Sequence, residues 1–288
     1  MKLLSFGEII WDVFPDAAHI GGAPLNFAAH TVLQGGRASI LSAVGDDALG
    51  LEAKRLTAAL GVGCECISTV KDRPTGQCVV TLDERGVPSY DLRDNTAYDC
   101  ISPADTANGF DVLAFGTLAL RHSHNREALK ALIGQGSYRE IFSDLNIRAP
   151  FYSSESIRFC LENATIVKIS DEELGTVTDA VLGKRLSVEE SARAIADKYR
   201  QIKMLIITLG AKGAFAYDVE ANACYSCGIT EYPVVSTVGA GDSFGAAFLY
   251  WYLSGKDVPT CLSIASKVSG FVVSCEGAVP QYNVNEII

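Results

Sequence analysis

Residues 236–248, Ser-Thr-Val-Gly-Ala-Gly-Asp-Ser-Phe-Gly-Ala-Ala-Phe, set one carboxylate, Asp242, directly behind Gly239, Ala240 and Gly241 at the mouth of an apolar helix. The first N–H groups of a helix lack intrahelical acceptors, and the helix dipole favours negative charge there. With Asp242 opening the helix, the amides of residues 239–241 would project forward, and their small side chains would let an anion come close. A carboxylate at that point repels phosphate unless it has a task, such as taking a proton from an attacking hydroxyl. The chemistry described is phosphoryl transfer to an alcohol. The plainer alternative is a tight strand–turn–helix bend. The spacing of Gly239, Gly241 and Gly245 also imitates a relaxed dinucleotide fingerprint. That fingerprint normally follows a first strand and has a downstream acid for the ribose, whereas this turn lies near the C-terminus with an acid inside it.

A second group of residues lies near the N-terminus. Gly21-Gly-Ala-Pro-Leu-Asn26 opens a helix after a short flap-like segment. Its glycines permit close backbone approach, and Asn26 offers both donor and acceptor to a polyol. Asp12 can accept two hydroxyl hydrogen bonds. No Lys or Arg occurs between Leu3 and Gly36, so the pocket suits a neutral polyhydroxy ligand better than a sugar phosphate. Alone, Gly-Gly-Ala-Pro is an ordinary helix start. Paired with Gly-Ala-Gly-Asp about 215 residues later, it gains weight.

The elements that must position these residues follow from periodicity. Strands are expected at 2–10, 38–44, 111–116, 139–144, 165–169 and 203–209, with helices near 24–33, 47–60, 123–134, 153–162 and 187–200. Residues 76–92 read as a hairpin turning at Gly86, and 213–219 with 223–227 as another. Two helices, about 241–254 and 258–274, close the chain. Strands alternating with helices predict a mainly parallel sheet covered on both faces, with ligands beyond the C-terminal strand edges.

Composition narrows the class. The chain has 288 residues, 48% hydrophobic and 20% charged, with 24 Lys plus Arg against 34 Asp plus Glu, a net charge of −10. That is a globular core-former whose acidity argues against nucleic-acid or anionic-membrane partners. Glu8 and Asp12 interrupt the first apolar stretch, so no export signal is read, and Asp242 and Lys267 interrupt the late ones. Nine scattered cysteines fit a reducing cytoplasm better than a disulfide framework. Cys224-Tyr-Ser-Cys227 has no second pair at zinc-finger spacing and reads as a hairpin feature.

Carrying both motifs, the sequence resembles the ribokinase-like (PfkB) carbohydrate kinases over essentially its whole length. Gly-Gly-x-x-x-Asn and Gly-Ala-Gly-Asp match the two hallmark motifs. Asp144-Leu-Asn146-Ile-Arg148 and Lys168-Ile-Ser-Asp-Glu-Glu173 look most like fructokinases, and 2-keto-3-deoxygluconate kinases share much of the pattern. The resemblance implies a three-layer α/β/α domain over 1–288, with a mainly parallel sheet and a small β lid from segments near 11–20 and 71–99. It implies ATP, magnesium and a sugar, most simply D-fructose, as the ligands.

By motif, Asp242 is the implied base and Gly239, Ala240 and Gly241 the anion hole. Thr208, Gly210, Ser170 and Gly277 fall at the implied nucleotide positions. Glu173 is the implied magnesium residue, acting through water. Asp12, Gly22, Ala23, Asn26, Arg93, Asn146 and Arg148 would meet the sugar. Two positions depart from the pattern. Ser236-Thr237 stands where many members have Asp-Thr, which argues against potassium activation, and Ser170 replaces an Asn. Adenosine remains a rival substrate through Tyr90 and Tyr98 of the lid. A non-catalytic sugar- or nucleotide-binding regulator is the rival from another class, opposed by the intact Asp242. A P-loop kinase is opposed by the lack of Gly-x4-Gly-Lys-Ser/Thr. Exposed lid edges suggest a homodimer.

Overall fold

A computed structural model describes residues 1–13, 17–82, 88–103 and 109–288. In chain order the N-terminal part contains β1 (Lys2–Phe6), β2 (Ile10–Val13), β3 (Ala18–Gly21), α1 (Ala23–Leu33), β4 (Arg37–Gly45), α2 (Ala48–Ala59) and β5 (Ile67–Val70). Then come β6 (Gly76–Leu82), β7 (Pro88–Leu92), β8 (Val112–Phe115), α3 (Ser123–Gln135), β9 (Glu140–Asp144) and α4 (Ser154–Asn163). The rest is β10 (Ile166–Ser170), α5 (Asp171–Leu182), α6 (Val188–Lys198), β11 (Met204–Thr208), β12 (Ala214–Asp218), β13 (Ala223–Cys227), α7 (Ala240–Leu253), α8 (Val258–Val273) and α9 (Val284–Ile287).

The strands of the large sheet run β13-β12-β11-β10-β9-β8-β1-β4-β5. From β11 to β5 they are parallel, and β12 and β13 add an antiparallel edge. Parallel strands are buried on both faces, and β11 shows how. Its Leu205 and Ile207 pack into one apolar layer with Leu129, Ile157, Val177 and Ile195 of α3 to α6. Its Met204 and Ile206 pack into the other, with Phe27, Phe248 and Leu262 of α1, α7 and α8. The result is the ribokinase-like α/β/α sandwich. Strand order reverses at β1, which has β4 on one side and β8 on the other. A crevice opens at such a switch point, beyond the C-terminal strand ends.

A second sheet, β3-β2-β6-β7, forms the small lid. The hairpin read at 76–92 is present as β6 and β7, antiparallel with Cys78 opposite Leu92. Its turn, including Gly86, lies outside the described residues. The stretch read as one strand over 2–10 is two strands in two different sheets. Gly7 makes the break: its φ is +152°, and a Cβ there would lie 2.4 Å from Pro24 Cγ. The chain therefore leaves β1 close against the start of α1 and enters the lid as β2.

The helix α5 and the strand β5 were not read from the sequence. Ser170 opens α5 through a capping box, its Oγ accepting from Glu173 N–H while Glu173 accepts from Ser170 N–H. Cys224 and Cys227 lie on opposite faces of β13. Cys224 accepts from Arg193 at 3.3 Å, whereas the Cys227 thiol donates to Leu262 O on the other side, so the pair shares no site. All nine cysteines are free thiols, and among the described residues no helix is long and apolar enough to cross a membrane.

Candidate active site

The Gly-Ala-Gly-Asp turn starts α7, but the helix opens earlier than the sequence suggested. Gly239 is the N-cap with φ +80°, and Asp242 sits inside the first turn. Ala240 corrects the simple picture of three forward amides, because its N–H donates back to Thr237 O at 3.3 Å. Among the described residues the N–H groups of Gly239, Gly241 and Asp242 have no acceptor. The two glycines differ in how tightly they are held. A Cβ on Gly239 would lie 2.2 Å from Ala278 O, and one on Gly241 would lie 3.3 Å from Lys168 Nζ.

Asp242 faces the crevice, sharing it with Ser5, Glu8, Ala23, Asp144 and Asn146. Asn26 Nδ2 donates to Asp242 Oδ2 at 2.9 Å, a bond between the first helix and the seventh. Asn26 is expected to meet sugar, and its Nδ2 amide orients the Asp242 carboxylate. Burial raises the Asp242 carboxyl to about 6, and the Asp144 carboxylate adds to this, while Asn26, Lys168 and Arg148 oppose it.

Two charged groups escaped the sequence reading. Lys168, 4% exposed, places Nζ 2.7 Å from Asp144 Oδ2. Burial alone would lower its ammonium, but the Asp144 carboxylate prevails and holds it above the ordinary value. A charged amine thus lies directly behind the anion turn. Glu8, in the crossing between β1 and β2, is 3% exposed. Burial raises its carboxyl to about 7, with Asp242 adding to the effect and Arg148 and Arg121 opposing it. It was read as an interruption of an apolar strand, which hid its place in the crevice.

The remaining sugar-side candidates spread along the lid and the strand ends. Asp12 lies on β2, its Oδ2 3.1 Å from the Cβ position of Gly21, and burial raises its carboxyl against the pull of Arg148. Gly22 has φ +110°, and a Cβ there would lie 2.5 Å from Glu8 O, so the glycine lets the chain pass over the Glu8 backbone. Asn146 has φ +41° after β9, and Arg148 is exposed nearby. The structure does not bring Arg93 into this group. Its side chain is 58% exposed and lies 4.0 Å from Asp91 on the lid. Tyr98 is fully buried beneath Arg121, whose guanidinium lies 4.8 Å from the ring centroid, so it cannot stack on a base. The Tyr90 side chain lies outside the described residues.

On the other side of the turn, Ser170 and Thr208 are register partners at the ends of β10 and β11. Gly210 (φ +55°) and Gly277 (φ +79°) face open space where a Cβ would point. Glu173 is tied down by backbone amides, Oε2 by Ser170 at 2.8 Å and Oε1 by Ile147 at 2.6 Å. Burial and Asp144 raise its carboxyl. Each oxygen keeps a lone pair, so the donor set suits a hydrated, oxygen-seeking divalent ion held through water.

The model of the pfkB family of carbohydrate kinases matches residues 6–283. The chain belongs to this family. A Solanum tuberosum fructokinase is 29% identical over 304 residues, spanning 96% of this chain and 91% of the relative. A 5-dehydro-2-deoxygluconokinase of Listeria monocytogenes serovar 1/2a is 24% identical, spanning 89% and 81%. Among solved structures, the Vibrio cholerae O395 fructokinase in a fructose-, ADP- and calcium-bound form is 26% identical with a TM-score of 0.82. It covers 96% of this chain and 94% of its own. An ATP-bound fructokinase from Xylella fastidiosa has a TM-score of 0.85 at 20% identity over 96% and 94%, a likeness of fold. As a PfkB sugar kinase, the chain carries both hallmark motifs on facing helices of one crevice.

Proposed function

We propose that this PfkB kinase transfers the γ-phosphoryl group of ATP to a hydroxyl of D-fructose, with residues 1–288 working as one domain. The observation that carries the reading is Asp242 in the crevice, held by Asn26 and flanked by the open amides of Gly241 and of Asp242 itself. Asp242 accepts the hydroxyl proton late in the transfer. The open amides, with Lys168 behind them, stabilise charge on the group in transit. Asp12, Gly22, Ala23, Asn146 and Arg148 surround the acceptor, while Ser170, Thr208, Gly210 and Gly277 border the nucleotide. Glu173 would hold magnesium through water, and the ion would neutralise phosphate charge.

Fructose as acceptor is supported by the fructokinase relatives and by the fructose- and ADP-bound neighbour. An acid sugar is the second reading. Arg148 draws down the carboxyls of Glu8, Asp12 and Asp242, and it makes no ion pair among the described residues. It would receive a ligand carboxylate, as 5-dehydro-2-deoxygluconate or 2-keto-3-deoxygluconate carries. The deciding measurement is ADP release with fructose, these two acids, ribose, adenosine and fructose 6-phosphate, each with and without potassium. Fructose should give the highest kcat/KM, without a potassium requirement, since Ser236 offers a hydroxyl in place of a charge. Turnover only with fructose 6-phosphate would overturn the neutral-pocket argument. The lid edges β3 and β7 are where two copies would pair; a monomeric mass in solution would remove that idea.

The raised carboxyls set a pH dependence. As pH falls through about 6, Asp242 takes up a proton and can no longer accept one, so kcat/KM should decline on that acid limb. Glu8, raised to about 7, interacts with Asp242, so the observed midpoint belongs to the pair. Stability runs the other way. Both groups bind protons more tightly folded than unfolded, so their ionisation penalty is fully present above about 7 and fades as pH falls through the folded values towards the ordinary carboxylate values of 4.5 and 3.8. A pH–rate profile and melting curves in the same buffers check both signs. Activity that stays flat from pH 8 to 5 would contradict this account.

A further inference from the structure

His30 is a buried imidazole on α1, away from the sugar crevice, with both ring nitrogens occupied. Nε2 lies 2.9 Å from Ala278 O, and Nδ1 lies 3.0 Å from the Tyr282 hydroxyl. Gln34 Nε2 donates to the same hydroxyl at 3.0 Å, and Trp251 Nε1 donates to Gln34 Oε1 at 3.1 Å. Counting hydrogens fixes every direction. The Gln34 amide must donate to Tyr282 Oη, so the single tyrosine proton is free to go to His30 Nδ1. That nitrogen is then unprotonated, and Nε2–H donates to the Ala278 carbonyl. The four bonds run one way from Trp251 to Ala278, and only the neutral Nε2–H imidazole completes them. Burial agrees with this, lowering the imidazole to about 4.

The end of the chain of bonds is the informative part. Ala278 O, which receives the His30 proton, is also the atom that a Cβ on Gly239 would meet at 2.2 Å. The N-cap of α7 is therefore seated against a carbonyl whose direction His30 sets. The Tyr282 ring is held in turn by His30, stacked at 5.8 Å, and by Phe271, edge-on at 5.8 Å. We propose that Trp251, Gln34, Tyr282 and His30 form a directional relay that positions the Gly239–Gly241 turn for phosphate by orienting the Ala278 carbonyl. These are positioning residues. They act through Ala278, and the inference rests on the reading of that turn as the phosphate site.

Tyr282→Phe removes one hydroxyl and cuts the relay in its middle. His30 Nδ1 loses its donor and Gln34 Nε2 its acceptor; the imidazole keeps Nε2–H towards Ala278 O but is no longer hydrogen-bonded from its other side. Calorimetric titration of the full chain with Mg-ADP should show affinity falling roughly fivefold to tenfold, the worth of one buried hydrogen bond. The KM for the sugar should stay within about twofold, because the acceptor side is untouched. Nitrogen-15 spectra of the imidazole should show the Nε2–H tautomer in the wild type, and in the variant a shift of the Nδ1 resonance as that nitrogen loses its hydrogen bond. Unchanged Mg-ADP affinity in a folded Tyr282→Phe, or an Nδ1–H tautomer in the wild type, overturns the relay. Should Tyr282→Phe fail to fold, Trp251→Phe removes the outermost donor instead, and unchanged affinity there overturns the relay equally. A wild type that binds no Mg-ADP sinks the phosphate-site reading itself, which is a different failure.

Discussion

Asp242→Asn should lower turnover at least roughly a hundredfold while Mg-ADP still binds and the fold persists. The replacement keeps the shape, and its carbonyl can still accept from Asn26 Nδ2. What it loses is the capacity to take the hydroxyl proton. The same change should raise thermal stability at pH 7.5. Burial lifts the Asp242 carboxyl from 3.8 to about 6, so its ionised form is disfavoured in the folded chain. Removing that charge should return roughly 1–3 kcal/mol, the lower figure applying where solvent reaches the carboxylate. Activity down with stability up is a signature that mere damage to packing would not give. Near-normal turnover would remove Asp242 from the role.

Gly239→Ala should be nearly as severe, for a steric reason. The position has φ +80°, and the new methyl would lie 2.2 Å from Ala278 O, a contact only backbone movement can relieve. Gly277→Ala provides the comparison, since its φ is +79° but nothing stands within 4 Å of the added carbon. The second change should destabilise by about 1–2 kcal/mol, the left-handed backbone penalty alone. The first should lose more than about 3 kcal/mol, or stay folded with Mg-ADP affinity and turnover reduced by roughly two orders of magnitude. Denaturant unfolding and calorimetry on the two variants separate the effects. Equal behaviour would mean that the Ala278 contact exerts no constraint.

Much of the site was legible because its requirements are local. A turn that lets an anion reach backbone needs small residues, and Gly239, Ala240 and Gly241 declare that need in the chain itself. The fold was legible for the same reason: buried parallel strands such as Met204–Thr208 are short apolar runs with breakers at both ends. What escaped depended on partners far away in sequence. Lys168 stands in a recognisable motif, but its strand alone assigns it no role until Asp144 and Gly241 close around it. Glu8 looked like a break in an apolar run because the fold of the chain at Gly7 is visible only against Pro24. His30 sits among small apolar residues of α1, and nothing local says that Tyr282 will meet it. The helix α5 was hidden by Gly175 and the Thr176-Val-Thr178 run, although Ser170-x-x-Glu173 carried its capping signal. Arg93 had the right charge in the right segment, yet it lies by Asp91 on the exposed side of the lid.

The hydrogen bond from Asn26 to Asp242 joins residues 216 positions apart. The bond therefore exists only when the first and seventh helices are both in place. A chain shortened before α7 would carry Asn26 without the carboxylate it orients. On the proposed reading of Asp242, such a fragment would transfer no phosphoryl group.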